Sequence, residues 1–207
     1  TWEQAAAIPI VFLTASYALE YLARIQPGER VLIHAGAGGV GLAAIQLARL
    51  AGAIIFATAG SSEKRELLAS LGVQHVMDSR SLVFADQVLQ LTATQPGEAG
   101  VDIILNSLAG EAVEKGLAIL RSYGRFLEIG KRDIYANSPI GLWPFRKNIS
   151  YFAIDLARMA VEKPDLLGVM LAQLVERFES GELQALPVQA FRMANAPAAF
   201  RFMGQSR

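Results

Sequence analysis

Three glycines, Gly36, Gly38 and Gly41, follow the apolar run Val31-Leu32-Ile33-His34 and open a stretch rich in alanine and leucine. That G-x-G-x-x-G spacing narrows the local structure to a buried strand, a tight turn and a helix lying close to the strand. Gly36 permits the turn, Gly38 lets a pyrophosphate approach the backbone, and Gly41 allows close helix–strand packing. Gly39 and Val40 sit at the helix start, where N–H groups without intrahelical partners favour phosphate charge. The string alone is a weak signal. Its place between a strand and a helix is what makes it read as a dinucleotide site.

The rest of the chain repeats the same alternation. Strands are expected over 31–34, 54–58, 75–77, 102–106, 124–129 and 149–153, mostly as continuous apolar runs, the pattern of strands covered on both faces. Helices are expected over 39–51, 62–71, 83–93, 109–121 and 164–180. The last has a stripe of Leu166, Leu167, Met170, Leu171, Leu174, Val175 and Phe178 between Pro164 and Gly181. Residues 1–25 read as a helical prelude broken at Ile8-Pro9, and the tail 186–207 is undetermined by pattern. The fold class is α/β: a Rossmann-type, doubly wound, parallel six-stranded sheet with helices on both faces and right-handed crossovers. Ligands then bind beyond the carboxyl ends of the strands.

Composition removes several alternatives. The 207 residues fit one large domain with small appendages, and 53% hydrophobic against 18% charged residues gives a packed core rather than disorder. Lys+Arg and Asp+Glu both number 19, so no basic field gathers nucleic acid or a membrane surface. Without Cys and with only His34 and His75, disulfides, thiolate sites and a His-rich metal site are excluded. No run reaches a membrane span, and no secretory signature opens the chain, so the expected compartment is cytoplasmic. The start at Thr1-Trp2 without Met suggests a piece of a longer protein.

The second strand speaks to which dinucleotide. NAD sites usually place Asp or Glu about 20 residues beyond the glycines, yet no acidic residue lies between Val31 and Ser62. That absence favours a 2′-phosphate. Ser61 can donate to it, Lys64 or Arg65 can supply charge, and Arg80 after the third strand is a further candidate. The missing acid also weighs against a methyltransferase, and no P-loop string is present. Asn106 and Ser107 at the fourth strand end border the nicotinamide ribose or cap a helix. Gly130 allows close approach at the fifth strand end, and Lys131 follows at the edge where chemistry belongs. Asp155, after the sixth strand, lies in an apolar stretch and needs a partner if buried, or is only the N-cap of the next helix. His34 reads as structural and His75 as a strand-edge residue, while Trp2, Trp143 and Phe145 are expected to pack.

Several strings together resemble a known family. They are Ile8-Pro9 with Thr14-Ala15-Ser16-Tyr17-Ala18-Leu19, the glycine loop, Ala57-Thr58-Ala59-Gly60-Ser61 with Glu63-Lys64-Arg65, and Asp78-Ser79-Arg80-Ser81. Asn106-Ser107-Leu108-Ala109-Gly110-Glu111 and Gly130-Lys131-Arg132-Asp133 are the most specific. Over essentially its whole length the chain resembles the enoyl reductase domain of modular polyketide synthases and related fatty acid synthases. That group lies in the zinc-free, quinone-reductase-like branch of the medium-chain dehydrogenase/reductase family. The resemblance implies NADPH-dependent reduction of a trans-2-enoyl thioester on acyl carrier protein, with other synthase domains as partners. It places the catalytic lysine on Lys131 and its aspartate on Asp155. It puts cofactor contacts at Thr14, Gly36, Gly38, Gly39, Val40, Gly41, Ser61, Lys64, Arg80, Asn106, Leu108 and Gly130. It also implies that 1–207 is the nucleotide-binding domain with flanking helical segments, without the GroES-like substrate domain. Alternatives are an NADPH:quinone oxidoreductase-like enzyme, disfavoured by the 130–133 string, and a non-catalytic NADPH-binding module. The apolar segment 149–154 is expected to form an exposed edge through which a homodimer pairs.

Overall fold

The structure, a computed structural model, describes residues 1–93 and 99–204. Six parallel strands form one sheet: β1 (Arg30–Ile33), β2 (Ile54–Ala59), β3 (His75–Asp78), β4 (Val101–Asn106), β5 (Leu120–Glu128) and β6 (Ser150–Ala153). Their order is β3-β2-β1-β4-β5-β6. The chain winds from β1 outward through β2 to β3, then returns to the other side of β1 and continues through β4 to β6. The switch point therefore lies between β1 and β4, where Val31, Leu32 and Ile33 stand level with Ile103, Ile104 and Leu105.

Both faces of the sheet are covered, because these strands carry apolar side chains on alternate positions of both sides. The chain opens with α1 (Trp2–Ala6), which buries nothing. Val31, Ile33, Ile103, Leu105 and Leu127 belong to one core, whose buried helix residues come from α2 (Pro9–Ser16), a π-helical turn (Tyr17–Leu22), α3 (Gly39–Leu50), α4 (Ser62–Ser70) and, later in the chain, Met170 and Leu174. Leu32, Ile104 and Phe126 face the other core with α5 (Phe84–Thr92) and α6 (Glu111–Ile119). After β5 come α7 (Arg132–Tyr135) and a 3-10 turn (Trp143–Lys147). After β6 come α8 (Leu156–Glu162), α9 (Pro164–Glu179), a 3-10 turn (Met193–Asn195) and α10 (Ala196–Gly204). The tail expected to be undetermined thus contains a helix, and residues 205–207 of it lie outside the described residues.

In α3, Ala43, Ala44 and Ala48 are fully buried, and their small side chains let the helix axis approach the sheet. α9 packs through Met170 and Leu174, and Phe178 meets Phe12 of α2 edge-on at 4.8 Å. Val175 leaves the expected stripe and is exposed.

Two sequence expectations need correction. β5 begins at Leu120, not 124, and α6 ends at Ile119. The Arg121 guanidinium bonds Asp102 at 2.9 Å, which draws 120 and 121 into the strand although they read as helix. Trp2 and Trp143 do not pack. Both are largely exposed, and Trp143 instead carries the Arg146 guanidinium 4.0 Å above its ring. Phe145 does pack against the second core, and His75 stacks on Phe56. β6 is an edge strand, paired only with β5 among the described residues. No helix is long and apolar enough to cross a membrane among the described residues.

Candidate functional site

The carboxyl ends of all six strands lie along one edge of the sheet, and the residues singled out there by sequence sit on that edge or on the helices bordering it. Thr14 lies on α2, buried, and its hydroxyl donates to the Ile10 carbonyl at 2.7 Å.

The glycine loop fits a dinucleotide phosphate. Gly38 is the N-cap of the 12-residue α3 with no side-chain cap, the first turn has no acid, and Gly38 and Gly39 are exposed. The amides at the helix start are therefore open to an anion. The space is tight elsewhere: a Cβ on Gly41 would lie 2.6 Å from Ala35 O, Gly36 Cα and Gly36 O, and one on Gly36 would lie 3.0 Å from Ala57 Cβ. The left-handed residue of the turn is Ala35, at φ 50°, so Gly36 is needed for room against β2 and not for its dihedral. Gly39 has a second use, since its Cβ would meet Val11 of α2 at 2.8 Å. Val40 is half-buried behind it.

A polar corner forms at the end of β2. Ser61 caps α4, its oxygen accepting from Lys64 N at 3.4 Å, and the half-buried Lys64 stands in that helix's first turn. Arg80 comes from the loop after β3, its Nε 3.3 Å from where a Cβ on Gly60 would be. Arg65 turns back into the protein, donating to Ala59 O and pairing with Asp78 at 3.6 Å. Asp78 also accepts from the Arg80 amide. Sequence analysis named Asp78 only as part of a string and gave it no role beside this corner. Arg65 beside it offsets its charge, so the corner does not repel a phosphate as an isolated acid would.

The ends of β5 and β6 bring a lysine and an aspartate together. Lys131 Nζ lies 2.5 Å from Asp155 Oδ2 and donates to Ile154 O at 3.2 Å. Asp155 is also the N-cap of α8, accepting from Arg158 N at 3.0 Å. Asp155 is thus the cap of α8 and, although not buried, also has a charged partner. The hydrogen bond from Lys131, then that from the Arg158 amide, holds its carboxyl below the usual range.

Asn106 neither caps α6, whose N-cap is Gly110, nor reaches outward. It is fully buried, and its amide donates to Leu108 O at 2.8 Å and to Glu128 Oε2 at 2.6 Å. Leu108 N closes the same turn onto Asn106 Oδ1. Gly130 N donates to Glu128 Oε1 at 2.6 Å. The roles of Glu128 and of the neighbouring Tyr151 were not anticipated. The available signal was an acid inside the apolar run Phe126-Leu127-Glu128-Ile129, since a buried carboxylate needs partners. Burial pushes the Glu128 carboxyl up to about 7.

His34 is structural, as its sequence position suggests. Its Nδ1 faces Thr58 Oγ1 at 3.0 Å, its ring meets Phe84 edge-on, and its buried Nε2 has no hydrogen-bond partner. Burial lowers it to about 3 from 6.5. The unfolded chain takes this proton below 6.5 and the folded chain refuses it until about 3, so stability is lost as pH falls through that window. The shift corresponds to about 5 kcal/mol in all. Glu128 acts in the opposite sense between 4.5 and 7, where the folded chain keeps a proton that the unfolded one has lost. Below 4.5 only His34 of the two remains. Urea denaturation is expected to show that His34→Gln removes about 1 kcal/mol per pH unit of acid sensitivity below that point. Parallel curves for variant and wild type would contradict it.

Comparison with known proteins agrees with this geometry. Residues 39–179 match the zinc-binding dehydrogenase family. Over 203 residues the chain is 46% identical to the phthioceranic/hydroxyphthioceranic acid synthase of Mycobacterium tuberculosis, covering 98% of this chain and 9% of that protein's length. The CurK enoyl reductase crystal structure matches with TM-score 0.87 and 46% identity, over 100% of this chain and 60% of that one. The nucleotide-binding subdomain of the enoylreductase domain of PpsC from Mycobacterium tuberculosis matches with TM-score 0.80 and 44% identity, over 86% and 97%. The zinc in the family's description has no counterpart here: the chain lacks Cys, and no three His, Cys, Asp or Glu side chains converge among the described residues, so the donors do not fit a zinc site. With two faces of helices on a 3-2-1-4-5-6 sheet, an open glycine loop and this set of relatives, the chain belongs to the zinc-binding dehydrogenase family, as the nucleotide-binding part of a polyketide synthase enoyl reductase domain.

Proposed function

We propose that the chain binds NADPH along the carboxyl edge of the sheet and serves, in the complete domain, to reduce a trans-2-enoyl thioester carried on acyl carrier protein. The observation that carries this reading is the ion pair of Lys131 and Asp155 beside Gly130, on the same edge as the uncapped start of α3. NADPH would supply hydride to the β-carbon of the thioester. The phosphates fit the amides of Gly39 and Val40, and the corner of Ser61, Lys64 and Arg80 suits the 2′-phosphate.

Charge then develops on the thioester oxygen, and the α-carbon must gain a proton. An ammonium has three N–H donors. Asp155 and Ile154 O engage two of those on Lys131, leaving a third for the enolate oxygen or the α-carbon. Asp155 holds the ammonium in place while α8 holds Asp155.

Turnover tests the reading: the complete enzyme is expected to reduce a crotonyl thioester with NADPH and leave quinones largely untouched. A preference for quinones would overturn the substrate class. Cofactor choice is tested on this chain. Lys64→Ala is expected to weaken NADPH binding by about 1.5–3 kcal/mol while leaving NADH nearly unchanged. Equal losses for both in a fluorescence titration would show that Lys64 does not read the 2′-phosphate. Association follows from the open edge at β6: a homodimer is expected in sedimentation, and a monomer at high concentration would exclude it.

A further inference from the structure

Glu128 is nearly fully buried at the end of β5, and its carboxylate is shared between donors from β4 and from its own turn. Oε1 takes the Gly130 amide and Oε2 takes the Asn106 side chain, and the Tyr151 side chain of β6 faces the same carboxylate. Asn106 in turn closes the 106–108 turn on itself. One carboxylate thus ties the turn after β4 to the turn after β5. Gly130 is required for this grip, because a Cβ there would lie 2.7 Å from Glu128 Oε1.

We propose that Glu128 is a positioning residue, whose buried carboxylate clamps the 106–108 and 128–131 turns together so that Gly130 and Lys131 stand correctly at the nicotinamide end of the crevice. The nicotinamide part of this statement rests on the dinucleotide reading above; the clamp itself does not. A carboxylate suits the task because it accepts at every lone pair and donates nothing. A protonated acid or a glutamine would turn a donor toward the Asn106 amide or the Gly130 N–H. Asn106 cannot flip to receive it, since its Oδ1 already accepts from Leu108 N.

The groups facing Glu128 are Asn106 from β4, Tyr151 from β6, the Gly130 amide, and Asp133 of α7, which adds like-charge repulsion. Burial and Asp133 disfavour the charged form, while the hydrogen bonds from Asn106 and Gly130 and the nearby Tyr151 hydroxyl favour it. With the carboxyl near 7, the clamp tightens as pH rises through neutrality. Tyr151 lines an open cavity of about 350 Å³ with Asp133, Ile134 and Ile140, so the proton has a route to solvent.

The test follows the Gly130 amide by NMR in the chain without cofactor, and NADH affinity in parallel across neutral pH. NADH is the probe because it lacks the 2′-phosphate, which would itself titrate. The Gly130 shift is expected to titrate near neutrality in wild type and stay flat in Glu128→Gln. NADH affinity is expected to rise about 3–10-fold between about pH 6 and about pH 8, and to remain flat at the low value in folded Glu128→Gln. Tyr151→Phe, which removes a hydroxyl that favours the charged form, should move the Gly130 midpoint upward and keeps the test open if Glu128→Gln does not fold. A Gly130 amide indifferent to pH, or a folded Glu128→Gln with wild-type NADH affinity and slope, overturns the proposal. A titrating Gly130 amide without any NADH binding supports the clamp and overturns the dinucleotide reading instead.

Discussion

Replacing Lys131 by alanine in the complete enoyl reductase is expected to lower kcat by roughly 10²–10⁴-fold, the usual worth of a positioned acid or electrostatic stabiliser. NADPH affinity should stay largely intact, because the ammonium faces Asp155 and Ile154 O and not the glycine loop. Asp155→Asn should act in the same direction and less severely. It loosens the ammonium without removing it, and asparagine can still accept from the Arg158 amide. The double variant should be far from additive, since both residues act as one unit. Steady-state rates on an enoyl thioester, with NADPH titration alongside, decide the matter. Near-normal turnover in Lys131→Ala would leave the pair a surface ion pair, which contributes little.

Gly41→Val should have the largest effect on the nucleotide-binding half itself. Its Cβ would sit 2.6 Å from three backbone atoms of the turn, none of which can rotate away. The start of α3 must then shift, at a cost of about 3 kcal/mol or more. The open amides move with it, and dinucleotide affinity should fall by more than about 100-fold. Gly168, within α9, is the control: an added Cβ meets nothing within 4 Å. Gly168→Ala should therefore stabilise by about 0.5–1 kcal/mol through helix propensity and leave binding alone. Urea denaturation with NADPH titration reads both. A Gly41→Val chain that binds normally would remove the glycine loop from the site.

The sheet was legible because parallel strands covered on both faces read as unbroken apolar runs, and each of the six expected strands has its counterpart in the structure. Boundaries failed where a tertiary pair overrode local preference, as when Arg121 reaching Asp102 pulled 120 and 121 out of the expected helix. α8 was not assigned, although Asp155 was recognised as a possible cap, since a seven-residue helix gives too short a period to read. Lys131 and Asp155 could each be picked out at a strand end, but their contact depends on β5 and β6 being neighbours, which no local pattern encodes. Arg65 and Lys64 are adjacent and chemically alike. Only the fold distinguishes them, because Asp78 on β3 claims Arg65. Glu128 was passed over because its partners come from β4, β6 and its own turn, none of them close enough in sequence to mark it, apart from Gly130.

The central claim is that this chain is an NADPH-binding half whose carboxyl edge carries the cofactor. Titrating the chain with NADPH and with NADH, followed by nicotinamide fluorescence, tests it most directly. Saturable binding of both with NADPH clearly tighter is the expected result, set by the open amides of α3 and the corner of Ser61, Lys64 and Arg80. No saturable binding of either dinucleotide by the folded chain would contradict the account.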